Sequence, residues 1–102
     1  MDEEILVITR HDALVKLLRE KGFITDSQPT RIISHISKEE ELIDKHVIGV
    51  LPLHMACLCA SYATVNLSLP LDKRGKELTI DELRKYYRSF DIYSIERLER
   101  KY

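Results

Sequence analysis

The chain has 102 residues, enough for one domain that buries roughly two-thirds of its unfolded surface without a disulfide scaffold. Hydrophobic residues make up 44% and charged residues 32%, an ordinary globular composition, and a formal net charge of −1 argues against a protein that coats duplex DNA. A small anionic ligand stays open, because the field inside a pocket does not follow the total charge.

Ile5-Leu6-Val7-Ile8 is short, continuous and β-branched, the pattern of a buried parallel strand. A helix is expected from Asp12, with Ala13, Leu14, Leu17 and Leu18 on one face, Lys16, Arg19, Glu20 and Lys21 on the other, and Gly22 as its stop. A connector, Phe23 to Thr30, leads to a second strand at Arg31 to Ser34. Ser37 with Glu40 three residues on reads as a capping box for a short helical turn running to Asp44. His46 to Val50 is a third strand, Pro52 opens a helix to about Ser61, and Ala63 to Leu67 is a fourth strand. After a polar loop, Pro70 to Lys76, Thr79 and Glu82 cap a helix over Ile80 to Arg88. The end of the chain, residues 91–102, reads as a charged helix packing on the domain or on a second subunit.

Strands alternating with helices predict an α/β fold: a single small Rossmann-like domain, with a mostly parallel sheet of about four strands and flanking helices. Cys57 and Cys59 form a C-x-C pair with no second pair to complete a zinc site, so buried, inert thiols in a reducing cytosol are expected. The acidic start Asp2-Glu3-Glu4 and the short run Ile5 to Ile8 do not read as a signal peptide, and no apolar run approaches the length of a membrane span.

In an open α/β sheet, ligands bind at the carboxyl edge of the strands. Thr9-Arg10-His11 stands there, between the first strand and its helix. A helix N-terminus attracts anions, Arg10 offers planar phosphate contacts, and His11 can carry a proton near neutral pH. The same residues also read as a plain surface cap. Arg-His after a strand also opens histidine phosphatases, but that motif continues with Gly, and Asp12 stands here in a chain too short for that fold. Ser34-His35 ends the second strand, either as a second part of the site or as a turn. In Gly49-Val50-Leu51-Pro52-Leu53-His54, Gly49 permits close approach of a backbone or ligand; Leu51, Pro52 and His54 stand near the edge, and His54 either packs or touches a ligand. Asn66 and Ser68 are short hydrogen bonders at the end of the fourth strand, and Arg74 and Lys76 belong to a loop that either lids the pocket or stays solvated. His46 begins the third strand, at the opposite edge, and reads as structural. No H-x-x-x-H or H-E-x-x-H spacing occurs, which leaves a spatial trio of His11, His35 and His54 as the one metal arrangement to consider.

I-T-R-H after the first strand, S-H after the second, V-I-G-V-L-P-L-H-M-A into the helix and L-S-L-P-L-D-K-R-G-K-E-L-T-I-D-E-L together resemble the small CRISPR-associated Csx-sixteen family, over roughly Ile5 to Tyr86. The resemblance implies a ring nuclease of type III CRISPR defence, related in fold to CARF domains. It implies cleavage of a cyclic oligoadenylate messenger, chiefly cyclic tetra-adenylate, without metal or other cofactor, by a homodimer that binds neither membrane nor duplex DNA. On that resemblance Arg10, His11 and His35 are the expected catalytic residues. Thr9, Ser34, Gly49, Leu51, Pro52, His54, Asn66, Ser68 and Arg74 are the expected ligand contacts. The same edge would equally serve a module that binds the messenger without cutting it, and the tail offers a third role as a joint to a larger complex.

Overall fold

The computed structural model describes residues 4–102; Asp2 and Glu3 of the acidic start lie outside the described residues. The regular elements are β1 (Ile5–Ile8), α1 (Asp12–Glu20), β2 (Thr30–Ile33), β3 (His46–Gly49), α2 (Leu53–Ala56), β4 (Ser61–Leu67), α3 (Ile80–Tyr86) and β5 (Tyr87–Tyr93), with 3-10 turns at Glu39–Leu42 and Leu71–Lys73. They form one five-stranded sheet in the order β2-β1-β3-β4-β5. β1 pairs in parallel with both β2 and β3, and β3 with β4; only β5 runs antiparallel, against β4. The α/β fold with a mostly parallel sheet is therefore as the alternation of elements predicts, with one strand more than expected.

Right-handed crossovers place helices on opposite faces when the chain moves in opposite directions along the sheet. α1 accompanies the move from β1 to β2. The Glu39–Leu42 turn and α2 accompany the moves back to β3 and on to β4. The two cores match this division. On one face Leu18 of α1 packs with Ile5, Val7, Ile48 and Ala63. On the other, Leu42 and Ala56 pack with Leu6, Val47 and Tyr62. α3 returns to the α1 face, where its Leu83 is buried and its Arg84 reaches Glu20 of α1.

Several local expectations hold. Gly22 adopts φ 78° just past α1, the left-handed stop that a side chain would strain. Thr79 and Glu82 close a reciprocal capping box, Glu82 N–H to Thr79 Oγ1 at 3.2 Å and Thr79 N–H to Glu82 Oε1 at 3.1 Å. Others need correction. The Ser37 capping box does not form: the turn starts at Glu39 as a 3-10 turn with Lys38 at its cap, and it is held by the fully buried Leu42. α2 stops after one turn, because the Ala60 N–H is drawn to the Lys45 carbonyl at 2.8 Å and the chain re-enters the sheet.

The tail helix is the main difference. α3 ends at Tyr86, and Tyr87 to Tyr93 form β5 instead. Tyr87, Phe90, Ile92 and Tyr93 are strand formers whose aromatic and branched side chains suit a pleated, half-buried surface. Phe90 stacks on Phe23 with ring centroids 4.0 Å apart, and Asn66 of β4 bonds Ser89 and Asp91 across the pair. Residues 94–102 adopt neither helix nor strand; Ile95 packs into the α2-side core, and Arg97 Nη2 donates to the His54 carbonyl at 3.3 Å.

At Gly49, level with Ile8, an added Cβ would lie 2.7 Å from the Ile8 carbonyl oxygen and 3.3 Å from its Cβ. Gly49→Ala should therefore force β3 away from β1 and lower stability by about 1–3 kcal/mol in urea unfolding; a wild-type midpoint would show that the strands have slack there. The electrostatic links of α3 give a second expectation. The Arg84 guanidinium holds the Glu20 carboxyl below its usual range, and Lys73, 2.8 Å from Glu82, does the same for Glu82. Folded values below the unfolded ones mean that this stabilisation is whole above about pH 4.3, the ordinary Glu value, and disappears as pH falls through the lowered values. Melting temperature should drop as pH is lowered from 5 towards 3, and Glu82→Gln should flatten that drop; identical slopes would remove Glu82 from the account.

Candidate functional site

The chain leaves β1 towards β2 on one side and returns to β3 on the other, so the connections diverge at the carboxyl ends of β1 and β3. Such a switch point leaves a crevice where ligands bind in open α/β sheets. Register makes the edge level: Ile8 pairs with Ile33 and with Gly49, so Thr9, Ser34 and Val50 leave the sheet side by side. The Thr9 N–H donates to the Ile33 carbonyl at 2.9 Å, which extends the pairing one residue past β1.

A cavity of about 400 Å³ opens there, on the α1 and α3 face. Its apolar wall comes from Ile8, Leu14, Ile48, Val50, Val65, Leu67, Leu78 and Leu83, and its polar groups are Thr9, Arg10, His11, Ser34 and Lys76, with Gly49 in the floor. Thr9 Oγ1 accepts the His11 N–H at 3.1 Å, which shapes the turn into α1. His11 is the cap residue of α1 and makes no side-chain cap bond; its Nδ1 lies 3.5 Å from Glu77 Oε1. The side chains of Arg10 and Lys76 have no ion-pair or hydrogen-bond partner among the described residues, and no carboxylate lines the cavity. The electrostatics are therefore one-signed: two unpaired cations, a histidine and a helix N-terminus around an apolar interior. That arrangement suits an anion that also carries an apolar face.

Residues 6–96 match the family described as "Putative CRISPR-associated protein (Cas_VVA1548)". The chain belongs to that family. No curated protein and no solved structure matches it.

The structure brings five of the expected residues of this CRISPR-associated chain into the cavity, namely Thr9, Arg10, His11, Ser34 and Gly49, and leaves seven outside its lining. Side-chain alternation explains most of the division. Thr9, Ser34, Val50 and Leu67 fall on the cavity face, so His35, Leu51, Asn66 and Ser68, one residue on or back, lie outside it. His35 is exposed, and its Nδ1 sits 3.2 Å from Ser34 Oγ. Leu51 packs in the α2-side core, and its N–H donates to the Tyr62 hydroxyl at 2.7 Å. Pro52 caps α2, and His54 faces Glu39 at 3.8 Å, so the trio of His11, His35 and His54 does not assemble. Asn66 is engaged with Ser89 and Asp91. The Ser68 N–H donates to the Tyr86 carbonyl at 2.8 Å, and Arg74 is exposed beside the cavity rather than in its wall. His46 makes a 2.6 Å hydrogen bond with Ser61 at the far edge. Both cysteines are free but half-buried rather than buried as expected, since the short α2 leaves them near the surface, and partial burial pushes the Cys59 thiol up, away from the reactive thiolate.

Of the two loop cations that could lid the pocket, Lys76 lines it and Arg74 does not, and Leu78 joins the lining without having been expected there. The Arg74-Gly75-Lys76 stretch carries the signal: Gly75 takes φ 77°, a turn that lets the chain bring Lys76 to the cavity while Arg74 stays outside. Among the described residues no group of three or more His, Cys, Asp or Glu side chains is placed to hold a metal ion, and no helix is long and apolar enough to cross a membrane. If the cavity holds a phosphate, Lys76→Ala should weaken binding of adenosine 5′-monophosphate by about fivefold, as an exposed ion pair allows, and Arg74→Ala should leave it unchanged in calorimetric titration. Equal losses would put the anion on the outer loop.

Proposed function

We propose that the cavity binds one nucleotide of a cyclic oligoadenylate and that the protein is a metal-independent ring nuclease acting on cyclic tetra-adenylate in the cytoplasm. The observation that carries this reading is the lining: unpaired Arg10 and Lys76, with His11, beside an apolar wall and no carboxylate. Phosphates would lie on the cations and a base against Leu14, Val65 and Leu83. The resemblance of the sequence blocks to ring nucleases suggests the messenger, and membership of a CRISPR-associated family is in keeping with it.

The chemistry needs little beyond positioning. The ribose 2′ oxygen attacks its own 3′ phosphorus, the P–O5′ bond breaks, and the products end in a 2′,3′-cyclic phosphate and a 5′ hydroxyl. Arg10 would stabilise the non-bridging oxygens, and His11 would accept the 2′ proton. His35 stands outside the lining and would act only through the Ser34 hydroxyl. At about 400 Å³ the cavity lies at the small end of the roughly 300–1,000 Å³ common for ligand pockets, so a four-nucleotide ring would extend beyond it. Exposed Val50, Leu53 and Leu71 follow the carboxyl ends of β3 and β4 and would let a second copy cover the rest of a two-fold symmetric ring, which makes the active form a homodimer.

Labelled cyclic tetra-adenylate incubated in EDTA tests the proposal. Linear products ending in a cyclic phosphate are expected. Arg10→Ala should lose binding and turnover together, and His11→Ala should lose turnover by about 10²–10⁴-fold with binding kept. Tight binding with the ring intact would replace cleavage with sequestration, the reading that the same lining serves next best; no binding would end both.

A further inference from the structure

Glu77 lies between Lys76 and Leu78, both of which line the cavity, yet the reaction outlined above gives it no part. Its Oε1 is 3.5 Å from Nδ1 of His11, across 66 residues of sequence. Among the described residues it is the one carboxylate in contact with a polar side chain of the lining. Its loop is not loose: the Gly75 turn precedes it, and Lys73 ties the start of the loop to Glu82 of α3 at 2.8 Å.

A neutral imidazole donates from one nitrogen and accepts at the other, and a carboxylate only accepts. Contact with Glu77 therefore requires the proton on Nδ1 and leaves Nε2 as the lone-pair nitrogen. We propose that Glu77 is a positioning residue, which holds the His11 ring in the Nδ1–H tautomer so that Nε2 receives the 2′ proton. The catalytic part of this rests on the ring-nuclease reading above. The step balances: the proton passes from O2′ to Nε2, O2′ bonds to phosphorus, the P–O5′ bond breaks, and water protonates the departing 5′ oxygen. The arrangement is the one by which a base is oriented by a third group. A distance of 3.5 Å is long for the bond, and such contacts tighten when the ligand is bound. A plain surface ion pair would occupy the same atoms; with His11 and Glu77 side chains 55% and 76% exposed it would add little stability and leave the chemistry alone.

Two measurements on the full chain separate these. Imidazole ¹⁵N shifts of His11, read where the ring is neutral, should show the Nδ1–H form in the wild type and lose it in Glu77→Ala. Glu77→Gln, whose carbonyl also accepts an N–H, should restore part of it. With cyclic tetra-adenylate, Glu77→Ala should lower kcat by about tenfold, part of the 10²–10⁴-fold that a positioned acid–base group supplies, with KM within about twofold. Glu77→Gln should fall between. Unchanged tautomers in Glu77→Ala overturn the proposal, and so does a wild-type kcat. A wild-type protein that leaves the ring intact overturns the ring-nuclease reading instead, and the tautomers alone then decide whether Glu77 holds His11.

Discussion

β1 is hydrogen-bonded on both sides by strands running its own way, and its position levels the carboxyl edge. Ile8 stands opposite Ile33 on one flank and Gly49 on the other. On the Gly49 flank the backbones come close enough that an added methyl group would meet the Ile8 carbonyl. The side chains that follow, Thr9 and Arg10 from one strand, Ser34 from the next and Val50 from the third, surround one cavity because three strands end at one height. Without that register they would be scattered polar residues on three unrelated turns.

The charge of the site follows from what the rest of the surface does with its ions. Glu20, Asp81 and Arg84 engage one another where α1 meets α3, Lys73 is tied to Glu82, and Glu4 lies near Arg31 and Lys45. Arg10 and Lys76 are left without partners at the mouth of an apolar pocket, so a chain of net charge −1 carries a locally cationic crevice. Glu77, in the same loop as Lys76, meets His11 rather than either cation.

The sheet, the switch-point edge and the Thr9-Arg10-His11 turn were legible because each rests on local pattern: a branched apolar run, a helical stripe from Leu14 to Leu18, and a stop glycine. The capping box at Thr79 was legible for the same reason. β5 was not, since Tyr87 to Tyr93 follows a helix without a turn residue, and only pairing with β4 shows it as a strand. His54, Leu51 and Asn66 were placed at the right edge but on the wrong face, because their position in sequence gives the height of a residue along the sheet and only strand register gives its side. Arg74 rather than Lys76 was the expected contact, since nothing in R-G-K alone tells which of the two cations the Gly75 turn carries inward.

The strict alternation at this edge has a consequence for how such a protein can change. Lengthening the segment between Ile8 and α1 by one residue would leave both cores intact, because β1 would keep its register with β2 and β3. Arg10 and His11 would nevertheless be carried round to a different outlook. The edge would take single insertions or deletions poorly. Within a lineage that keeps this cavity, the turns after β1, β2 and β3 are where residue count must be preserved.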